Sequence, residues 1–221
     1  MRSALFDLDG TLLDTAPDFY RVICDQAKRH GYPKPAYQVI RDNASNGGKP
    51  MLKAAFGEQF LANETALHNE FLSLYRDNPV ESGGLFPGFN EALNWLEEQR
   101  IPWGIVTNKP RELTNIVLEQ LQLTDRCSVC ICPEDVRQSK PDPEGIIKAL
   151  KTVDASAKHS LYFGDHIRDI MAGKGAGVPT VACTFGYLAQ GEDYRDWQAT
   201  HSLHHSENLS AFLNEHFNKK V

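Results

Sequence analysis

Short apolar runs rich in β-branched and aromatic residues recur along the chain, at 4–6 (ALF), 103–108 (WGIVTN), 128–132 (SVCIC), 160–165 (SLYFGD) and 179–184 (PTVACT). Each has the length and apolar content of a strand covered on both faces. Between them, apolar positions recur every three to four residues. GFNEALNWLEEQR (88–100) puts Phe89, Leu93 and Leu96 on one stripe, and RELTNIVLEQLQL (111–123) and PEGIIKALKTV (143–153) repeat the device. Strand alternating with helix predicts an α/β fold, a Rossmann-like parallel sheet flanked by helices. Residues 16–82 break this rhythm. DFYRVICDQAKRHG, KPMLKAAFG and NETALHNEFLSLYRDN read as helices with no strand among them, bounded by the turn-rich TAP and ESGGLFPG. The pattern predicts an α-helical cap domain at 16–82, inserted into an α/β core domain formed by 1–15 and 83–221. The tail HSLHHSENLSAFLNEHFNKKV is expected to be a polar loop leading into a last helix.

Composition narrows the function classes. The 221 residues are 41% hydrophobic and 24% charged, with a net charge of -6. Nucleic acid and anionic membrane surfaces reward a basic stripe that this chain lacks, so neither is expected as a partner. An anionic ligand must instead be held by local positive groups. No apolar run approaches the roughly 18 residues that span a bilayer, and MRSALFDLDG turns acidic before a signal-peptide core forms. A cytoplasmic monomer or homodimer is the expectation. Five cysteines, an odd number, do not suggest a disulfide framework. Cys127, Cys130 and Cys132 alternate with Val129 and Ile131 as in a buried strand, with no histidine pair nearby to suggest zinc.

The stretch LFDLDGTLLDT (5–15) crowds aspartates at the end of the first strand. In an open parallel sheet, ligands bind beyond the carboxyl ends of the strands. Polar residues recur at those ends: Asp7 and Asp9 after the first, Thr107 and Asn108 after the second, Asp165 after the fourth, with Lys140 in the loop after the third. Clustered carboxylates repel unless a cation joins them, and hard oxygen ligands suit Mg²⁺; Asp7, Asp9 and Asp165 form the expected metal set. Asp7 can act as a carboxylate nucleophile, Asp9 can give and take a proton, and Thr107 and Lys140 can hold the oxygens of a transferred group. With a magnesium ion opposite, these parts make a phosphoryl-transfer site. Taken singly, each has a plainer explanation as a turn, cap or surface residue.

DLDGTLLDT, VTNKP, SKPDP and GDHIRD resemble, in order and spacing, the four motifs of the haloacid dehalogenase-like superfamily, and the helical insertion resembles its cap. The resemblance spans essentially the whole chain. It implies Asp7 as the nucleophile that forms an aspartyl-phosphate, Asp9 as general acid and then base, Thr107 and Lys140 as phosphate binders, and Asp165 as a magnesium ligand. Asp169 matches the second acid of the last motif and would support the metal or Lys140. His166 stands where a small hydroxyl residue is expected, which leaves its role open. Asp14 reads as a hinge or capping residue.

Haloacid dehalogenases proper lack an acid at the position of Asp9, which therefore favours phosphate esters. A receiver-like phosphoacceptor would be about half as long and uncapped. A phosphosugar mutase of the same superfamily stays open. Within the superfamily the chain resembles phosphoglycolate phosphatases. DTAPDF, WGIVTNKP, ICPEDV, SKPDPE, GDHIRDIMAGKGAG and FGY resemble bacterial phosphatases of N-acetylmuramic acid 6-phosphate in cell-wall recycling. The implied partner is a small phosphorylated metabolite. NASNGGKPM (43–51) combines amide groups on Asn43 and Asn46, backbone freedom at Gly47 and Gly48, and the charge of Lys49. It is expected to lower Asn46, Gly47 and Lys49 onto the substrate, the alternative being a plain interhelical turn.

Overall fold

The computed structural model describes residues 1–218. In chain order the strands are β1 (Ala4–Phe6), β2 (Leu13–Asp14), β3 (Gly84–Leu85), β4 (Trp103–Val106), β5 (Val129–Ile131), β6 (Leu161–Gly164), β7 (Thr180–Cys183) and β8 (His201–Leu203). The helices are α1 (Ala16–His30), α2 (Tyr37–Arg41), α3 (Gly48–Phe56), α4 (Glu58–Ala62), α5 (Glu64–Asp77), α6 (Phe89–Glu98), α7 (Arg111–Gln120), α8 (Glu144–Thr152), α9 (Ile167–Gly175) and α10 (Leu209–Asn218). Six strands form one parallel sheet in the order β5-β4-β1-β6-β7-β8.

Successive β1 residues feed opposite faces. Leu5 packs with Val106, Tyr162 and Ile146 under α8 and α9. Phe6 packs on the other face, stacked on Phe163 at 4.8 Å and edge-on to Phe89 of α6 at 5.7 Å. Burial on both faces is why these strands read as unbroken apolar runs. From β1 the chain builds outward through β4 and β5, then returns to β6 on the other side. The crevice beyond β1 is thus the topological switch point, where an open α/β sheet binds its ligand.

Helices α1 to α5 fill the long connection between β1 and β4. Two short segments carry the chain in and out of it, paired antiparallel as β2 and β3. Asp18, fully buried at the start of α1, accepts bonds from the backbone N–H groups of Glu81 (3.0 Å), Ser82 (2.9 Å) and Gly83 (2.8 Å), clamping exit to entry. The Tyr187 hydroxyl donates to Asp14 Oδ1 and accepts from the Ala16 N–H, both at 2.8 Å, tying the entry to the loop after β7.

Two features depart from expectation. Strands β2 and β3 have two residues each, too few to show a period. Strand β8 lies within the stretch expected to be a polar loop; as an edge strand it buries only Leu203 and so lacks an apolar run. The last helix is described to Asn218, and the remainder of the tail lies outside the described residues. Val129 and Ile131 are buried while Cys127 and Cys130 are only partly so, and all five cysteines are free thiols. Among the described residues, no helix is long and apolar enough to cross a membrane.

Candidate active site

The first strand ends in a tight reversal. Asp7 N–H makes a last 2.9 Å bond to Phe163 O of β6, after which the N–H groups of Leu12 and Leu13 both turn back onto Leu8 O. Gly10 has φ +83°, and a Cβ there would lie 2.1 Å from Asp165 Oδ2, so only glycine fits. With Leu8 and Leu12 fully buried, the turn leaves Asp7 and Asp9 facing one pocket.

Lys140 organises the floor. Its ammonium, buried beneath the pocket, lies 2.7 Å from both Asp7 Oδ1 and Asp169 Oδ1 and donates to the Tyr162 hydroxyl at 3.0 Å. The side chain of Asn108 fixes the backbone of this residue from both sides, donating to Lys140 O (2.9 Å) and accepting from Lys140 N–H (3.1 Å). Thr107 is held by its N–H on Ile131 O, and its hydroxyl oxygen accepts from Lys109 N–H at 3.1 Å. Asp165 accepts from the Thr11 hydroxyl (3.2 Å), the Ser45 hydroxyl (2.8 Å) and Tyr187 N–H (2.9 Å). Asp169 has no exposed surface and receives His166 N–H at 3.1 Å. A Cβ on Gly164 would sit 2.1 Å from Asp169 Cβ, so glycine at the end of β6 permits this approach. His166 caps α9, its Nδ1 accepting from Arg168 N–H.

Carboxylate oxygens of Asp7, Asp165 and Asp169 lie within 4.8 Å of one another. Burial, with the neighbouring carboxylates, pushes Asp165 up to about 7. Burial likewise lifts Asp7 to about 6, Lys140 opposing and Asp169 adding to the rise. Burial alone would lower the Lys140 pKa, but the charges of Asp169 and Asp7 overcome it and raise it. This all-oxygen set fits a hard divalent cation such as Mg²⁺. It differs from the expected metal set. Asp169 is inside it, whereas the Asp9 carboxylate is turned to the ammonium of Lys109, at 2.9 and 3.2 Å.

A stability signature follows. Between the ordinary carboxylate pKa of 3.8 and the folded values of about 6 and 7, the folded cluster keeps protons that the unfolded chain has lost. Its contribution to stability therefore falls as pH rises through that window and is least favourable above it. A divalent cation must displace those protons. Magnesium is expected to raise the melting temperature strongly at about pH 8 and little at about pH 5, with the rise lost in Asp165→Asn. Thermal unfolding at the two pH values, with and without Mg²⁺, checks this; a rise of equal size at both would count against the cluster as the binding site.

Lys109 was not singled out from the sequence. It is almost fully buried, its third bond goes to the Tyr75 hydroxyl of α5 at 2.9 Å, and it lies 4.5 Å from the centroid of the Tyr75 ring and 5.2 Å from that of Phe19. The only hint was its place in VTNKP, since the contacts come from distant elements.

The pocket, about 270 Å³, is also lined by residues of α1, α3, α5 and the turn at 44–48. Asn46 and Gly47 line it. Lys49 is a correction: it does not line the pocket, because it sits in the first turn of α3 and pairs with Glu64 of α5 at 2.8 Å, both half in solvent. The Asn43 amide donates to Val39 O instead. Two residues without an earlier role bridge insertion and sheet: Ser45 through Asp165, and Arg168, which donates to Ser45 O (2.8 Å) and to Asn46 Oδ1 (3.0 Å).

Fold and site together define a hydrolase class. The haloacid dehalogenase-like hydrolase family matches residues 4–183, and the chain belongs to that family. It is 38% identical over 200 residues to the N-acetylmuramic acid 6-phosphate phosphatase of Pseudomonas putida, covering 90% of each chain. It is also 38% identical over 198 residues to the phosphoglycolate phosphatase of Xanthomonas campestris pv. campestris, again covering 90% of each. A crystal structure from Haemophilus somnus, described as a predicted phosphoglycolate phosphatase, shares the fold with a TM-score of 0.83 at 22% identity, over 95% of this chain and 96% of that one.

Proposed function

We propose that this phosphatase hydrolyses a small phosphomonoester through a covalent aspartyl-phosphate, with residues 16–82 acting as a substrate-selecting cap. The observation that carries the reading is the placement of Asp7. Its carboxylate stands at the end of the central strand, faces the pocket, and shares Lys140 with Asp169. In the first step an Asp7 oxygen bonds to phosphorus as the ester oxygen leaves. Asp9, once released from Lys109 and protonated from solvent, gives that proton to the leaving oxygen. In the second step Asp9 takes a proton from water, whose oxygen attacks phosphorus and frees inorganic phosphate and Asp7. Thr107 and Lys140 hold the phosphoryl oxygens. Asp7 and Asp165, with Asp169 beside them, would hold Mg²⁺, which supplies charge neutralisation for the phosphoryl group.

Part of the pocket wall is apolar, with Phe19, Met51, Phe71, Leu72 and Leu113. A phosphoglycolate would leave most of this wall untouched, whereas the acetamido and lactyl groups of an amino-sugar phosphate would cover it. The relatives named for both substrates make these the first compounds to test. A phosphate-release screen over 2-phosphoglycolate, hexose phosphates and phosphorylated amino sugars is expected to single out an amino-sugar phosphate, in a reaction that stops with a chelator. In single turnovers, Asp9→Asn is expected to slow phosphoenzyme formation from an alkyl phosphate by about 10²- to 10⁴-fold and from p-nitrophenyl phosphate far less, because only the poor leaving group needs the proton. Equal slowing of both would mean that Asp9 does not act as the acid.

A further inference from the structure

The cations of the pocket are not alike in what opposes them. Lys140 faces Asp7 and Asp169, and Lys109 faces Asp9. Arg168, half-buried at the start of α9, lines the same pocket and has no carboxylate within 4 Å among the described residues. None of its partners is an acid. Nη1 donates to Ser45 O and Nη2 to Asn46 Oδ1, and the His166 ring lies beside the guanidinium, its Nδ1 3.1 Å from Nε and its Nε2 3.0 Å from Nη2. These contacts leave one N–H of Nη1, and the guanidinium's uncompensated positive charge, to meet an anion in the pocket.

A half-buried positive charge without a counter-charge is costly, and here it borders the cavity that receives the substrate. The phosphoryl group is already provided for by Thr107 and Lys140 in the reading above. We infer that Arg168 is a specificity-determining residue that binds a second, singly charged anionic group of the substrate, a carboxylate, in a subsite formed with Asn46. Charge counting selects a carboxylate over a second phosphate: a phosphate monoester dianion would bring two charges to one guanidinium, with both lysines engaged elsewhere. The bonds to Ser45 O and Asn46 Oδ1 also tie the turn of the insertion to the same guanidinium, so that a carboxylate arriving there meets the insertion and the sheet at once. This inference rests on the phosphatase reading above and takes the place that the sequence offered to Lys49.

The test uses substrate pairs that differ in the carboxylate: N-acetylmuramic acid 6-phosphate against N-acetylglucosamine 6-phosphate, and 2-phosphoglycolate against 2-hydroxyethyl phosphate. The wild-type enzyme is expected to prefer, by kcat/KM, the carboxylate member of at least one pair. In Arg168→Met that preference is expected to shrink about tenfold or more, the scale of losing one charge-assisted contact. Arg168→Lys keeps the charge without the fork and is expected to fall between the two; it supplies the same readout if the methionine variant does not fold. A preference that survives in both variants, or a parallel loss on both members of each pair, overturns the inference and leaves Arg168 as a strap on the 44–46 turn. Selective turnover of glucose 1,6-bisphosphate would overturn it as well. Failure of the wild-type protein to release phosphate from any phosphomonoester, p-nitrophenyl phosphate included, overturns the phosphatase reading and the inference with it.

Discussion

Asp7→Asn is expected to lower turnover of every phosphomonoester by roughly 10⁴-fold or more, the scale of removing the nucleophile from a covalent mechanism. An amide cannot attack phosphorus, and no other carboxylate can take its place: Asp9 is engaged by Lys109, and Asp165 and Asp169 are bound by their own donors. The fold should survive. Burial raises the folded pKa of Asp7 to about 6, so its ionised form disfavours the folded state at pH 7 and above. Replacing it with a neutral isostere removes that penalty, and Lys140 keeps Asp169 as its partner. The expected result is an inactive protein whose melting temperature at about pH 8 without magnesium is equal to or above that of the parent. Residual turnover within a hundredfold of wild type would require another nucleophile. A fall in melting temperature of about 10 °C would mean that the Asp7–Lys140 pair contributes more than the burial cost it offsets.

Lys140→Met is expected to strike both activity and stability. The ammonium is 2% exposed and joins Asp7 and Asp169 at 2.7 Å each. Methionine fills a similar volume but leaves two buried carboxylates facing each other. Breaking such a pair costs about 3–5 kcal/mol, a drop in melting temperature of roughly 10 °C for a domain of this size. The loss should depend on pH in a stated direction. Without the lysine, Asp7 faces Asp169 unpaired and relieves the repulsion by taking up a proton, so the variant should be closest to wild type near pH 5 and furthest from it near pH 8. Magnesium, if the cluster holds it, should restore part of the difference at the higher pH. A pH-independent loss would indicate a packing defect rather than lost charge neutralisation.

Both expectations rest on residues whose importance could be read from local spacing. Asp7, Thr107 and Asp165 follow apolar runs directly, and a strand buried on both faces ends where the first charged or polar residue appears. The insertion was legible for a related reason: a long helical stretch between the first strand and the next has no place within the sheet's own layers. Lys109 and Arg168 were not legible in that way. Their roles come from Tyr75, Ser45 and Asn46, which lie 34, 123 and 122 positions away along the chain. No period or motif encodes such a meeting.

The contrast between Lys49 and Arg168 shows where the division falls. By itself the sequence determined the alternation of strand and helix, the place of the helical insertion, and the set of polar residues at the strand ends, because each depends on neighbours within a few residues and on which side chains can be buried. Only the tertiary structure decided which cation faces the pocket. Lys49 and Arg168 are both single positive charges in the first turn of a helix. One lies on α3, whose packing against α5 turns it to Glu64, and the other starts a helix that the sheet aims at the turn above it. The physical reason is that a charge is directed by whatever opposite charge or acceptor folding brings within about 3–4 Å, and that partner is chosen by the packing of distant elements rather than by the local chain.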